Sequence, residues 1–580
     1  MYRIALLLIL AACLLHAPAP SYAASDYSRM KRTVSALVTK EMSINGVKGL
    51  SIAVVDGGRA VWLQGFGFAD EAARVPVDAN TVFRAGSISK TVTSMRVMQL
   101  AEAGLVDIDA DIRRYVPGFS IRNRFPDTPP ITPRMLMSHR SGLPTDVVAG
   151  MWSENPMTLG EFIPTLSREA MASPPVTQWR YSNVAYSLLG RMVEEVEGKA
   201  FSEAMRQGLL EKIGMASSSY VMTEALAPRY SKGYQNGAEA PRPTLRDQPT
   251  GSLFTTAQDM ASYLAAIIEG GRGAVSPKSL FEMTKPQFPG LPLDFGFEQG
   301  LGFMLSGVTL ADGRKLVWHG GTAIPHQAFM AIDPESGLGV AILCNTLEAS
   351  RFISRLATQI METALEIKTG RRAPPVKRAQ SFKAARLAQD QLASYAGFYA
   401  TYSGMLGTVQ VLDGTLTARI GDSVTRLTPA ENGVLLLKSD AFFGLIPHVR
   451  SDLHLEHLTV EGRDVLVLRG HAMPYPFEKV PMKPIPGAWT ARLGKYATLQ
   501  PGEGICYKTL ELVEQAGLLV AVVGVSTGQP GAPTAPAIFP LVPVSDDEAV
   551  IAGIGIGTGS VVRAEGTGLY HSGYGFRRVQ

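Results

Sequence analysis

The stretch VFRAGSISKTVTS, residues 82–94, carries a serine and a lysine three positions apart, where a turn gives way to a predicted helix. The apolar residues that follow recur close to every 3.6 positions, which indicates a helix over 87–103. Lys90 would then lie one helical turn from Ser87 on the same face. Burial lowers the pKa of a lysine, so a neutral Lys90 amine could take the proton of the Ser87 hydroxyl. The alternative is a capping serine beside a surface lysine.

The same spacing occurs a second time, at Ser28 and Lys31. This copy lies close to the N-terminus, beside a predicted cleavage site, where no active site is expected. A capping serine and a surface lysine therefore explain Ser28 and Lys31 better than they explain Ser87 and Lys90.

A Tyr-x-Asn pattern, Tyr181 and Asn183, opens another predicted amphipathic helix over 183–197. A phenol beside a lysine can relay protons to a leaving group, and an amide can hold a substrate carbonyl. The chain also contains Tyr234 and Asn236 at this spacing, but they lie in a glycine-rich segment with no predicted helix after it. The pattern favours Tyr181.

A third candidate group is His319, Gly320 and Gly321, which follows the predicted strand residues Val317 and Trp318. Adjacent glycines weaken a strand unless something must approach the backbone closely. A substrate lying along this edge would use that opening, and His319 would supply a hydrogen-bond donor. The alternative is a histidine that only caps a turn at the end of a strand.

The surrounding sequence predicts the elements that would position these residues. Two hairpins are indicated, one turning at 56–58 and one turning at 333–337, with helical patterns between them. Strands at both ends of a region with helices between them predict one α+β domain whose terminal segments share a sheet. A basic stretch with a Pro–Pro pair, 371–389, is typical of a linker.

Beyond the linker the pattern changes to short strands and turns. The Leu392, Tyr395 and Ala396 pattern recurs about a hundred residues later as Leu493, Tyr496 and Ala497, and FEKVP near 480 recurs as FRRVQ at the end. This weak repeat predicts two tandem small antiparallel β-barrel-like domains, at 390–485 and 486–580.

The N-terminus has a short charged region, an apolar run and a small-x-small site, which predicts a signal peptide at 1–23 and a periplasmic or secreted protein. A lipoprotein anchored through Cys13 is the alternative. No later apolar run is long enough to span a membrane. Cys344 and Cys506 are too few for a disulfide framework or a cysteine-rich zinc site, although a single bridge stays open.

Composition narrows the class of protein further. Hydrophobic residues make up 46% of the 580 residues and charged residues 18%, so the chain is expected to fold rather than to be disordered. The formal net charge is only +4, without a dense basic cluster. Nucleic-acid binding is therefore not expected.

In this order, Ser-x-x-Lys, Tyr-x-Asn and His-x-Gly resemble the motifs of the serine β-lactamase and penicillin-binding protein superfamily. The tyrosine and the histidine are similar to its class C-like branch, which includes D-aminopeptidases, D-Ala-D-Ala carboxypeptidases and esterases. The stretches LMSHRSGLP (136–144), GSLFTTAQDMASYL (251–264) and GLVDIDADIRRYVPGF (104–119) also resemble segments of that branch. The resemblance covers about residues 30–365, and the C-terminal part resembles the β-barrels of D-aminopeptidase-like members.

The resemblance implies a β-lactamase-like catalytic domain at 24–370, with an antiparallel sheet flanked by helices. It implies a covalent acyl-enzyme on Ser87, with Lys90 and Tyr181 sharing the general-base and general-acid work; which of the two takes the first proton stays open. It implies further roles for six groups: the backbone N–H groups of Ser87 and Thr322 as the oxyanion hole, and Asn183, His319, Gly320 and Gly321 as substrate-binding residues. No cofactor or metal is implied.

The expected function is an exported serine hydrolase of small peptides or amides that contain D-amino acids. A carboxylesterase with the same residues is the first alternative. A β-lactamase is less favoured because His319 stands where classical members carry lysine, a permanent cation. A catalytically silent protein that binds cell-wall material is an alternative of a different class. The sequence leaves the oligomeric state open.

Overall fold

The structure, a computed structural model, describes residues 25–372, 382–437, 453–470, 473–500, 502, 504–527 and 534–579. The predicted signal peptide at 1–23, with Cys13, lies outside these residues, as does part of the predicted linker. Cys344 and Cys506 are both free and buried, so no bridge joins them. None of the helices in the described ranges is long and apolar enough to cross a membrane.

The first unit contains an antiparallel sheet with helices on both faces. Its strands are β1 (Gly49–Asp56), β2 (Arg59–Asp70), β3 (Val75–Pro76), β4 (Phe83–Arg84), β5 (Trp152–Ser153), β6 (Gly233–Gln235), β7 (Ala238–Ala240), β8 (Thr244–Leu245), β9 (Phe254–Thr255), β10 (Val317–Ala323), β11 (His326–Asp333) and β12 (Leu338–Cys344). Its helices are α1 (Ser28–Asn45), α2 (Ser89–Glu102), α3 (Pro133–Met137), α4 (Leu159–Thr165), α5 (Asn183–Glu197), α6 (Phe201–Met205), α7 (Gln248–Gly251), α8 (Ala257–Ile268), α9 (Pro277–Thr284) and α10 (Ile353–Thr369).

Six of these strands form the main sheet in the order β10-β11-β12-β1-β2-β3. The two predicted hairpins are the pairs β1–β2 and β11–β12. Strand β1 pairs with β12 in antiparallel register, Ala53 opposite Ala341. The prediction that the two ends of this region share one sheet is therefore confirmed.

Both faces of the sheet are buried against helices. Neighbouring residues of a strand point to opposite faces, so one strand contributes to two cores. On β1, Ile52 and Val54 pack into a core with residues of α1 and α10, while Ala53 and Val55 pack into a second core with residues of α2, α5 and α8. The second core surrounds the helices that carry the candidate site. Helix α5 ends at Gly198, in the left-handed conformation expected of a glycine after a helix (φ 65°).

Two closed barrels of eight antiparallel strands follow. The first barrel comprises β13 (Gly397–Ala400), β14 (Leu406–Leu412), β15 (Thr415–Ile420), β16 (Ser423–Pro429), β17 (Val434–Leu437), β18 (His454–Val460), β19 (Arg463–Arg469) and β20 (Tyr475–Lys479), preceded by α11 (Gln389–Tyr395). The second comprises β21 (Gly494–Thr498), β22 (Ile505–Gln515), β23 (Leu518–Thr527), β24 (Ala535–Pro543), β25 (Glu548–Ile551), β26 (Val561–Glu565), β27 (Gly568–His571) and β28 (Tyr574–Arg578), preceded by α12 (Gly487–Thr490). The predicted fold class is confirmed.

The repeat between the barrels has a different register from the one predicted. Tyr399 and Tyr496 are both buried in the first strand of a barrel, and each hydroxyl donates to the carbonyl four residues earlier. Tyr395, which the sequence comparison aligned with Tyr496, instead ends helix α11. The segments that correspond are Gly-x-Tyr-Ala at 397–400 and 494–497. The sequence comparison missed this match because it aligned Leu392 and Tyr395 instead.

A buried ion pair fixes the segment that leads into the candidate site. Arg140 and Asp294 are paired through two hydrogen bonds, Nη1 to Oδ1 at 3.0 Å and Nη2 to Oδ2 at 2.5 Å. Their side chains are only 1% and 4% exposed. Asp294 Oδ1 also accepts the backbone N–H of Trp179, two residues before Tyr181.

Replacing Asp294 with alanine should be strongly destabilising because it leaves the Arg140 charge buried and unpaired. We expect a loss of about 3–5 kcal/mol in the free energy of unfolding, measured by chemical denaturation. The matched control is the double variant Arg140→Met/Asp294→Leu, which removes both charges and should recover part of this loss. Equal losses in the single and double variants would show that the ion pair is not the cause.

Candidate active site

Ser87 lies in a 3₁₀ turn, Gly86–Ile88, and the α-helix begins two residues later than the sequence predicts, at Ser89. Gly86 has a left-handed backbone (φ 53°), and a Cβ there would lie 2.5 Å from the backbone nitrogen of Thr322. Only glycine suits both the conformation and the close approach. The turn therefore places Ser87 directly against strand β10.

Lys90 is completely buried and points at the serine. Its Nζ donates to Ser87 Oγ at 3.2 Å and to the backbone carbonyl of Thr250 at 2.8 Å. Desolvation by burial lowers the pKa of Lys90 to about 7, although attraction to Asp146 and Asp247 offsets part of this effect. A substantial fraction of this amine is neutral near pH 7, as a general base requires.

Tyr181 lies on the other side of this pair, in the extended segment before helix α5. Lys90 Nζ is 4.7 Å from the centre of the phenol ring, and the Tyr181 hydroxyl is near enough to Ser87 for the serine hydroxyl to influence the pKa of Tyr181. Burial raises the pKa of Tyr181 above its usual value. The interaction with Ser87 lowers this pKa, but it offsets only part of the rise. The phenol therefore keeps its proton near neutral pH and can donate it.

Asn183 is the first residue of helix α5 and lies close to Asp146. Its Nδ2 donates to Asp146 Oδ1 at 2.7 Å, which fixes the orientation of the amide. The helix is capped by the residue before it, since Ser182 Oγ accepts the backbone N–H of Ala185.

His319 lies inside strand β10, with its ring 1% exposed. Its Nδ1 is 2.6 Å from the carbonyl of Gly320, which can only accept, so Nδ1 carries the proton. Burial lowers the pKa of His319 to about 3, and the charge of Lys90 contributes. The ring is therefore neutral. Its Nε2, which is buried without a partner among the described residues, is an acceptor rather than the donor that the sequence suggested.

The two glycines of strand β10 have different surroundings. A Cβ on Gly321 would lie 2.0 Å from the carbonyl oxygen of Ala85 and 3.2 Å from Ser87 N, whereas a Cβ on Gly320 would meet only Phe329, at 3.9 Å. Gly321 is thus required by the protein's own backbone, and only Gly320 borders open space. This contact brings the backbone of Thr322 next to Ser87.

Both barrels contact the segment that leads into Tyr181. The ring of Tyr402, from the first barrel, is stacked on Trp179 with centres 6.5 Å apart. The Arg180 guanidinium, next to Tyr181 in sequence, donates to the carbonyl of Gly555 at 2.9 Å and to both oxygens of Thr558 in the second barrel.

The structure brings together Ser87, Lys90, Tyr181, Asn183, His319, Gly320, Gly321 and Thr322, all of the residues that the sequence selected. The second Ser-x-x-Lys copy lies elsewhere, at the start of helix α1, with Ser28 exposed. Tyr234 lies on the short strand β6 and accepts the backbone N–H of Glu71.

Sequence reasoning missed three groups around the site: Asp146, His139 and the carbonyl of Thr250. His139 lies in the LMSHRSGLP stretch, and Thr250 immediately precedes the GSLFTT stretch, so both regions carried a signal. The sequence signal did not indicate what these groups do. Every residue has a backbone carbonyl, so the type of residue at position 250 cannot show that its carbonyl binds Lys90.

Comparison with known proteins places this arrangement in a family. The Beta-lactamase family model matches residues 34–365, more than half of the chain. "Protein flp" of Staphylococcus aureus (strain N315) is 22% identical over 343 residues, 57% of this chain and 66% of that protein. "Beta-lactamase-like protein 2" of Dictyostelium discoideum is 27% identical over 272 residues, 44% of this chain and 48% of that protein. The chain therefore spans less than two thirds of the length of these curated relatives.

Solved structures share the fold at low sequence identity. The octameric penicillin-binding protein homologue from Pyrococcus abyssi has a TM-score of 0.52 at 23% identity, covering 77% of this chain and 99% of that one. SurE, solved with D-Leu, has a TM-score of 0.56 at 21% identity, covering 78% and 100%. EstCE1, described as a hydrolase with promiscuous acyltransferase activity, has a TM-score of 0.51 at 19% identity, covering 58% and 98%.

The sheet, the flanking helices and the family match together define a protein of the β-lactamase fold. The chain belongs to the beta-lactamase family. Its structural neighbours include a penicillin-binding protein homologue and a protein described as a hydrolase.

Replacing Gly321 with alanine should displace strand β10 from the serine turn, because the new methyl group would overlap the carbonyl of Ala85. We expect kcat to fall about 100-fold, as for an ångström-scale misplacement of catalytic groups. Gly320→Ala is the matched control, and it should change the free energy of unfolding by less than about 0.5 kcal/mol. Equal effects of the two variants on stability and kcat would contradict this difference in packing.

The lowered pKa of Lys90 predicts a pH dependence of the reaction. The protonated amine cannot accept the Ser87 proton, so kcat/KM should rise with pH, with its midpoint at about 7, and level off at higher pH. Asp146→Asn removes a negative charge that raises the pKa of Lys90, so this variant should move the midpoint to lower pH. The measurement is the pH dependence of kcat/KM between about pH 5 and 9 for both proteins. A flat profile, or a midpoint that Asp146→Asn moves upward, would contradict the assignment.

Proposed function

We propose that this protein is an exported serine hydrolase that forms an acyl-enzyme on Ser87 and cleaves small peptides or amides that contain D-amino acids. The observation that carries the proposal is the 3.2 Å contact between Lys90 Nζ and Ser87 Oγ, made by a lysine whose pKa burial lowers to about 7. This pairing of a hydroxyl with a desolvated amine activates a serine that would otherwise be a weak nucleophile.

In the first step Lys90 takes the proton of Ser87 as Oγ attacks the substrate carbonyl. The Lys90 amine is the base because it is partly neutral near pH 7, whereas the raised pKa of Tyr181 keeps the phenol protonated. The negative charge on the carbonyl oxygen is stabilised by the backbone N–H groups of Ser87 and Thr322, the groups that the Gly321 contact brings side by side.

In the second step Tyr181 donates its proton to the leaving nitrogen, and the C–N bond breaks to leave an ester on Ser87. The Lys90 ammonium, 4.7 Å from the phenol ring, reprotonates Tyr181. A water molecule then attacks the ester, giving one proton to this network, and Ser87 is released with its own proton restored. Asn183, oriented by Asp146, binds the amide of the substrate.

The electrostatics of the site support a neutral substrate group beside strand β10. His319 is neutral because burial lowers its pKa to about 3, so it offers no fixed cation for the carboxylate of a β-lactam. SurE, a structural neighbour, is solved with D-Leu, which supports a D-amino-acid substrate here. A carboxylesterase with the same residues is the second candidate, because a neutral site also accepts neutral esters.

The proposal can be tested on the purified protein with three substrate classes: D-amino-acid amides, p-nitrophenyl esters and a chromogenic cephalosporin. We expect the amides to give the highest kcat/KM, and Ser87→Ala to lower kcat at least about 10⁴-fold. Ser28→Ala is the matched control, because it removes the serine of the second Ser-x-x-Lys copy, and it should leave the rates unchanged.

Mass spectrometry after a fluorophosphonate probe locates the nucleophile in the same samples. An adduct on Ser87 with turnover of esters alone would identify a carboxylesterase and overturn the peptidase assignment. No adduct on Ser87 and no turnover would favour a catalytically silent binding protein. Export is tested separately, by fractionation of cells that express the full chain.

A further inference from the structure

We infer that His139 is a positioning residue for Tyr181. It hydrogen bonds to the backbone on both sides of Tyr181, and its imidazole packs against the phenol ring. This role rests on the proposed function, in which Tyr181 is the proton donor to the leaving group. His139 belongs to the loop after helix α3, about forty residues before Tyr181 in sequence, and it is completely buried.

Two backbone hydrogen bonds connect His139 to the residues that flank Tyr181. The backbone N–H of Arg180 donates to the carbonyl oxygen of His139 at 2.9 Å. The backbone N–H of Ser182 donates to His139 Nδ1 at 3.1 Å. The 179–180 and 181–182 peptide units, on either side of Tyr181, are thus both held by one residue, which limits the movement of the backbone that carries the phenol.

The imidazole ring of His139 also contacts the phenol itself. The two ring centres are 4.3 Å apart, with 30° between the planes. The imidazole is also close to Tyr186, whose hydroxyl donates to the carbonyl of Met137, so His139 is itself held in place. Movement of Tyr181 away from Ser87 would have to break these contacts.

The chemistry of His139 favours this positioning role over acid–base catalysis. Burial lowers the pKa of His139 well below its usual value, and the nearby Lys90 and His319 add to the effect, so the ring is neutral. Its Nδ1 is already used as an acceptor by Ser182, which places the proton on Nε2. A neutral ring with its lone pair occupied cannot take a proton from the reacting groups.

Two features of His139 are unfavourable for a residue that only fills the core. Its backbone is left-handed (φ 58°), a conformation that only a few per cent of non-glycine residues adopt, with histidine among the types enriched there. Its Nε2 is buried without a hydrogen-bond partner in the part of the chain that the structure describes. Glycine would suit this backbone better, and the imidazole supplies instead the contacts to Tyr181 and Ser182.

The test compares two variants that keep the left-handed backbone available. His139→Gly removes both the acceptor and the ring, and we expect kcat to fall about 100-fold with KM little changed. His139→Asn places Oδ1 where Nδ1 lies and keeps the bond to Ser182, so it should recover to within about tenfold of the wild type. Circular dichroism and thermal unfolding identify any variant that does not fold.

A double-mutant cycle with Tyr181→Phe separates positioning from general destabilisation. If His139 acts through the Tyr181 hydroxyl, His139→Asn and His139→Gly should cost almost nothing further in the Tyr181→Phe protein. His326→Asn is the matched control: His326 is also buried and its Nδ1 also accepts a backbone N–H, from Arg84, and its effect should be additive with Tyr181→Phe.

If the effects of His139→Asn and Tyr181→Phe on kcat are additive in an active protein, the positioning role is overturned. The proposed function is not affected by that result. Because His139→Asn retains the backbone conformation and the acceptor, the cycle stays informative even if His139→Gly fails to fold. A wild-type protein without Ser87-dependent turnover or labelling would instead overturn the proposed function, and this inference with it.

Discussion

Complete burial of Lys90 is the constraint around which the site is organised. An ammonium group removed from water is costly, and within the described part of the chain its hydrogen-bond partners are a hydroxyl and a carbonyl rather than a carboxylate. The cost falls when the amine is neutral, which is the state that can accept a proton. Under the proposed function, burial in the second core therefore makes the Lys90 amine a base. Its hydrogen bonds to Ser87 and to the Thr250 carbonyl fix where the amine points.

The serine turn and strand β10 have to meet at backbone distance for this reactivity to reach a substrate. Gly86 and Gly321 make that approach possible, because a methyl group on either would overlap the opposite backbone. The proposed nucleophile, Ser87, lies in the turn that leads into a helix, and the facing N–H group comes from an edge strand of the sheet. The sheet thus supports the site through its edge, while its faces are occupied by the two cores.

Much of the fold could be predicted from the sequence because it depends on local patterns. The hairpins, the helix that ends at Gly198 and the change to β-rich sequence all follow from periodicity and turn residues. The candidate site residues could be selected because three motifs occur in a fixed order. The roles of His139 and the Thr250 carbonyl could not, because they arise when segments far apart in sequence meet, and the tautomer of His319 depends on one backbone contact.

The Arg180 contacts make this part of the fold depend on sequence far along the chain. The carbonyls of Gly555 and Thr558 that bind Arg180 lie 375 and 378 positions after it, whereas Ser87 precedes it. Because a ribosome makes a chain from its N-terminal side, a growing polypeptide contains Ser87 long before it contains these two carbonyls. Until they are made, Ser173 can accept from the Arg180 guanidinium, but the second barrel cannot.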